Sequence, residues 1–168
     1  MSKNLTFRNA TIEDLPEIVA IYNSTIVSRM VTADTEPVTV EERQNWFNEH
    51  DSVRRPLLVA ELEGEICGWI SLESFYGRPA YNQTAEVSIY IDERFRGEGL
   101  GKKLLNYIIE KSPSYGIEIL LGFIFAHNEP SIKLFERFGF EQWAHLPSVA
   151  KLDSVNRDLI ILGKNISK

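Results

Sequence analysis

One cysteine and three histidines are a small stock of redox and metal-binding side chains for 168 residues. Cys67 has no second cysteine to pair with, so an internal disulfide is excluded, and no histidine stands near it at zinc-site spacing. Long apolar runs are missing too; nothing approaches the roughly 20 residues of a membrane-spanning helix. The opening stretch MSKNLTFRNA lacks the apolar segment of a secretory signal. Basic residues are outnumbered, with 18 Lys and Arg against 24 Asp and Glu and a net charge of −6. Such a surface repels a polyphosphate backbone. These absences predict a cytoplasmic protein with no metal, no nucleic acid partner and no membrane partner.

What is present suits one soluble domain over residues 1–168, long enough to bury a core without staples. Leu5 to Arg8 reads as a strand. Thr11 with Asp14 forms a capping box that opens a helix whose core face is Leu15, Ile18, Val19, Tyr22 and Ile26. Thr39 and Glu42 open a second, carrying the packing pair Trp46 and Phe47. Leu57 to Leu62 and Ile66 to Glu73 flank a Glu63-Gly64 turn and read as a hairpin. Glu86 to Ile91 is a strand, Gly99 to Lys111 a helix, and Ile117 to Phe125 a strand buried on both faces. Pro130 starts a last helix that Gly139 stops, and strands from Phe140 to Ala144 and Asp158 to Gly163 follow. The order β-α-α-β-β-β-α-β-α-β-β predicts a mixed α/β fold with helices on both faces of one sheet.

The chemical signal lies between Ile91 and Lys102, where a strand ends, glycines cluster and a helix begins. The first amides of a helix lack internal partners and carry the positive end of its dipole, so an anion site is expected there. Arg94, Arg96, Lys102 and Lys103 are the densest basic stretch, enough for one phosphorylated ligand. A P-loop fails on spacing, because Arg96 stands where its first glycine belongs and Lys103 where its hydroxyl residue belongs. A dinucleotide fingerprint through Gly97 and Gly99 fails because Lys102 takes the third glycine position.

The pattern that fits is R-x-x-G-x-G, read as Arg96-Gly97-Glu98-Gly99-Leu100-Gly101. It resembles the pyrophosphate-binding motif of the GNAT acetyltransferases. Asn128-Glu129-Pro130-Ser131 through Leu134-Phe135, with Phe138-Gly139-Phe140, is similar to the superfamily's later helix. The resemblance implies the GNAT fold, a mostly antiparallel sheet whose strands splay beside the glycine helix, and acetyl-CoA as co-substrate. It implies that backbone of Ile89, Tyr90 and Ile91 pairs with the pantetheine arm. The pyrophosphate would rest on the amides of Gly97, Glu98, Gly99, Leu100, Gly101 and Lys102, with Arg96 beside it. Asn128 and Ser131 would line the arm from the other side.

Acetyl transfer needs a neutral amine, and a carboxylate can remove its proton. Glu86 is the candidate base, since AEVSIYI resembles the A-E-x-S-x-Y strand of one GNAT branch. That branch, the phosphinothricin and methionine-sulfoximine N-acetyltransferases, is also similar in Ile21 to Thr25, Thr35 to Thr39 and Phe75 to Tyr81. It implies a small amino-acid-like amine acceptor, a homodimer, and an acceptor pocket lined by Arg78, Pro79, Ala80 and Tyr81. Arg78 is the candidate partner of an acceptor carboxylate. The chain departs from the family at Phe135, where a tyrosine acid is usual, and at residues 149–158, which keep Lys151 and Asp158 without the glycines and tryptophan. Alternatives are a polyamine, an aminoglycoside or a protein N-terminus as acceptor, or a non-catalytic acetyl-CoA-binding module.

Overall fold

The computed structural model describes residues 4–167; residues 1–3 and 168 of the expected domain lie outside the described residues. Among these described residues seven strands form one sheet. They are β1 (Leu5–Asn9), β2 (Leu57–Leu62), β3 (Glu65–Ser74), β4 (Thr84–Ile91), β5 (Ile119–Phe125), β6 (Glu141–Leu152) and β7 (Val155–Asn165). Their order is β1-β2-β3-β4-β5-β7-β6. Every neighbouring pair is antiparallel except β4 and β5. Four helices cover it: α1 (Leu15–Ser24), α2 (Val40–Asn48), α3 (Leu100–Lys111) and α4 (Glu129–Arg137).

The alternation of β3 and β4 assigns the two faces. Ile70, Leu72, Ala85 and Val87 join one buried cluster with Leu104 and Ile108 of α3 and Phe135 of α4. Trp69 joins the other, with Val59 and with Ile18, Ile21 and Tyr22 of α1. In α3 the buried positions Leu100, Leu104, Leu105 and Ile108 recur at helical spacing. Burying each is worth about 1.5–3 kcal/mol relative to leaving it in water. Gly68 permits the close approach of this helix, because a Cβ there would sit 2.6 Å from the Tyr90 carbonyl oxygen and 3.3 Å from Leu104. On the other face the Trp69 indole N–H donates to the Ile18 carbonyl at 3.1 Å, which satisfies its one polar atom in the core.

Several expected boundaries shift, among them the start of β4, which lies at Thr84 rather than Glu86. The Thr11 capping box is present, but it opens a short 3-10 turn over Ile12–Asp14 before α1, and Ile26 falls in a second such turn, Ile26–Ser28. β5 begins at Ile119, with Ile117 buried just ahead of it. The strands expected at Phe140 to Ala144 and Asp158 to Gly163 are parts of one long hairpin. It turns at Asp153-Ser154, both with positive φ (51° and 68°), between the paired Leu152 and Val155. β6 is largely exposed along its length, so no buried face leaves an alternating pattern, and Pro147 sits in an irregularity between Leu146 and Ala150.

Candidate active site

β4 and β5 pair only at Thr84 with Ile119, Ala85 with Leu120 and Glu86 with Leu121. Beyond that point β4 stays on β3 as far as Ile91, and β5 stays on β7 as far as Phe125. The splay that the resemblance implies is therefore present. From Val87 onward the inner edge of β4 has no ladder partner, and buried backbone groups need one. An extended chain entering the gap finds a strand edge ready to pair.

The gap opens toward the start of α3. Gly97 (φ 83°) and Gly99 (φ 72°) hold left-handed conformations, with no atom within 4 Å of a built Cβ, so backbone angle rather than crowding requires glycine. Gly99 is the N-cap of α3 and supplies no side-chain hydrogen bond, whereas Thr39 and Asn128 cap α2 and α4. The first amides of α3 are thus left for an anion. Asp92 is occupied elsewhere: its carboxylate accepts from the Arg94 amide and guanidinium, which holds it below the usual carboxylate range.

A cleft of about 280 Å³ joins these elements, with Ile89, Tyr90, Ile91, Arg96, Gly97, Gly99, Leu100, Gly101 and Ser131 among its lining. A second, of about 70 Å³, runs on into the gap past Ser88, Gly122 and Asn128. Of the residues expected at the cofactor, only Glu98 and Lys102 line neither. Asn128 is buried and in use. Its Oδ1 accepts from the Ser131 amide at 3.3 Å, and its Nδ2 donates to the Met30 carbonyl at 3.2 Å. Phe135 lies against Gly122, where a Cβ would meet its ring at 2.8 Å. Gly101, Gly122 and Phe135 together set the width of this groove. The donor set is backbone amides, one arginine and an open strand edge, which fits a pyrophosphate on an extended arm, as in acetyl-CoA.

On the opposite face of the sheet, Trp69, Ser71 and Glu73 stand directly across from Tyr90, Ser88 and Glu86. Burial pushes the Glu86 carboxyl up to about 7, and the charge of Glu73 pushes the same way. Tyr90 stacks on Trp69 with centroids 4.5 Å apart, and burial raises its phenol well above the ordinary value. Tyr22 approaches it at 5.2 Å and hydrogen-bonds Thr32 and Asp34, while Arg43 covers the Tyr22 ring at 4.5 Å. His50 reaches the same face. Its Nδ1 donates to the Trp46 carbonyl at 2.9 Å, and its Nε2 meets the Ser71 hydroxyl at 2.7 Å. Sequence reasoning missed Glu73, Ser71 and His50; the matched alternation of 69-71-73 with 86-88-90 is the signal that pairs the first two with the site.

The loop after β3 gathers Phe75, Tyr76 and Tyr81, with ring centroids 4.4 to 5.8 Å apart. Arg78, Pro79, Ala80 and Tyr81 are all exposed there, and Arg78 makes no ion pair among the described residues. Among the described residues no group of three or more His, Cys, Asp and Glu is placed to hold a metal.

The model of the acetyltransferase (GNAT) family matches residues 18–140. A Bacillus subtilis protein named "Putative phosphinothricin acetyltransferase YwnH" is 57% identical over 164 residues, covering 97% of this chain and 100% of that protein. The L-methionine sulfoximine/L-methionine sulfone acetyltransferase of Pseudomonas aeruginosa is 32% identical over 162 residues, with 96% and 94% covered. The crystal structure of a GNAT superfamily phosphinothricin acetyltransferase from Sinorhizobium meliloti in complex with acetyl-CoA superimposes with a TM-score of 0.88 at 25% identity, covering 96% of this chain and 88% of that one. Sequence and architecture agree on one family, and this chain belongs to the GNAT acetyltransferases as an acetyl-CoA-dependent N-acetyltransferase.

Proposed function

We propose that the chain, acting as one domain, transfers acetyl from acetyl-CoA to the amino group of a small amino-acid-like acceptor of the phosphinothricin, methionine sulfoximine or methionine sulfone type. The observation that carries this reading is the position of Glu86. It is the last residue of β4 still paired with β5, at the apex of the gap, and its carboxyl is raised to about 7. A base with that pKa is half ionised near neutral pH, where proton transfer from a substrate ammonium is most effective. The relatives named for sulfoximine, sulfone and phosphinothricin acceptors support the acceptor class.

In this reading acetyl-CoA supplies the activated thioester. Ile89, Tyr90 and Ile91 offer the free strand edge to its arm, and the amides from Gly97 to Lys102, with Arg96, hold its pyrophosphate. Asn128 and Ser131 close the groove from α4, and Glu86 takes the ammonium proton. Arg78, Pro79, Ala80 and Tyr81 border the acceptor from the loop after β3. With Phe135 in the usual tyrosine position, Tyr90 is the phenol on the strand that carries Glu86.

We further infer a homodimer. Trp143, Leu146, Val149 and Val155 are exposed apolar residues on the terminal hairpin, whose strand β6 is one of the sheet's two edges, β1 being the other. A cytoplasmic location follows from the need for acetyl-CoA and agrees with the free thiol of Cys67. The test is release of free thiol from acetyl-CoA with methionine sulfone, methionine sulfoximine, phosphinothricin, spermidine and an aminoglycoside. Selective turnover of the first three supports the reading; turnover of spermidine or the aminoglycoside alone replaces the acceptor class.

A further inference from the structure

Arg55 precedes β2 and is 5% exposed, yet among the described residues no carboxylate lies within 4.0 Å of its guanidinium. Its three bonds all go to uncharged oxygens: Nε to the Ser74 hydroxyl at 3.0 Å, Nη1 to the Arg54 carbonyl at 2.9 Å, and Nη2 to the Asn82 carbonyl at 2.8 Å. A guanidinium has five N–H donors, so one remains on each Nη. The nearby acid Asp51 turns its Oδ1 to the amides of Val53 and Arg54. Burial, reinforced by the charge of Arg54, holds the Arg55 guanidinium below the usual arginine value. The charge of Asp51 acts the other way but is the smallest of the three causes, so the buried guanidinium gains from a further anionic partner.

The space beside Arg55 suits such a partner. It lines a cleft of about 170 Å³ together with Glu49, His50, Glu73 and Ser74, and is the one cation-bearing Arg or Lys among the lining residues. The ladder of β2 on β3 pairs Leu57 with Ser71, and the Leu72 amide donates to the Pro56 carbonyl at 3.1 Å. Continued by one residue, this register sets Arg55 beside Glu73, which itself faces Glu86 on β4. Arg55 just ahead of β2, Glu73 on β3 and Glu86 on β4 thus follow each other across this end of the sheet, where neighbouring strands lie about 4.8 Å apart. An α-amino acid carries a carboxylate and an ammonium in the complementary order.

We propose that Arg55 is a specificity-determining residue of the acceptor site, its two remaining N–H groups receiving the acceptor's carboxylate while the amine faces Glu86. The proposal rests on the amino-acid-like acceptor argued above. It transfers to a buried guanidinium the part that the sequence motif gave to exposed Arg78; a charged hydrogen bond gains most where water is excluded.

The experiment compares methionine sulfone with its decarboxylated counterpart, 3-(methylsulfonyl)propylamine, for the wild type, Arg55→Gln and Arg78→Gln. Wild type is expected to favour the carboxylate-bearing acceptor by about tenfold or more in kcat/KM. Arg55→Gln should lose most of that preference through a higher KM for the sulfone, with the counterpart and the KM for acetyl-CoA changed less than about threefold. An equal loss on both acceptors would mean that Arg55 only staples the 74–82 loop, and would overturn the proposal. So would a preference kept by Arg55→Gln and lost by Arg78→Gln. If Arg55→Gln fails to fold by circular dichroism, Arg55→Lys carries the test, since it keeps the charge but not the fork. A selective loss on the sulfone supports the proposal, and equal values reject it. A wild type that turns over neither acceptor refutes the acceptor class itself, and is distinguished from failure of Arg55 alone by that silence.

Discussion

Glu73 and Glu86 stand directly opposite each other on β3 and β4, at the point where β4 parts from β5. Like charges so placed repel, and ladder partners on one face hold their Cβ atoms about 4.5–5.5 Å apart. The sheet keeps the pair because Leu72, Ala85 and Val87 around it are committed to the core on the other face.

The pH dependence of the reaction follows from this pair. The base must be ionised, so kcat/KM should rise with pH through about 7. Glu86→Gln should lower kcat by about 10²- to 10⁴-fold while still binding acetyl-CoA. In Glu73→Gln the acidic limb should move to lower pH but stop short of 4.5, because burial is the larger cause of the shift. Pre-steady-state or steady-state pH profiles of both variants check this.

The same carboxyl makes stability depend on pH in the reverse direction. Its folded pKa of about 7 exceeds the ordinary 4.5, so the folded chain binds more protons in that window. Stability should therefore fall as pH rises from 4.5 toward 7, and Glu86→Gln should flatten the slope. Urea unfolding at three pH values measures it.

Gly99→Ala meets no atom within 4 Å, so its effect isolates backbone strain at φ 72°. A left-handed alanine costs about 1–2 kcal/mol. Loss of the turn should also weaken acetyl-CoA. Thermal melts and calorimetric titration should show both, and an unchanged affinity would detach the turn from the cofactor.

Asn128 caps α4 and ties it to Met30 of the loop after α1. Asn128→Ala should cost about 1–3 kcal/mol, from the lost cap and the stranded carbonyl. Asn128→Ser keeps a cap oxygen and should recover the first part only. Denaturant midpoints of the two variants separate the contributions.

The terminal hairpin provides the test of assembly. Val149→Lys combined with Val155→Lys places two charges among its exposed apolar residues. A dimer built on this face should become a monomer by light scattering, and a dimer that persists assembles elsewhere.

Elements with local causes were legible in the order of residues. The glycine turn was legible because Gly97 and Gly99 need positive φ, and α3 because its apolar positions repeat over more than two turns. The start of α4 was legible from Pro130, while the cap that Asn128 supplies two residues earlier came from the structure. The hairpin from Glu141 to Asn165 was only half legible, since its exposed strand carries no buried period. Tertiary structure alone decided what depends on pairing across distance. Glu73 became the neighbour of Glu86, and His50 of Ser71, through strand register and helix packing, which no short window contains. In the sequence Arg55 is one of two consecutive arginines with no motif around it. The tertiary contacts with Ser74 and Asn82 bury its charge, and among the described residues it makes no ion pair.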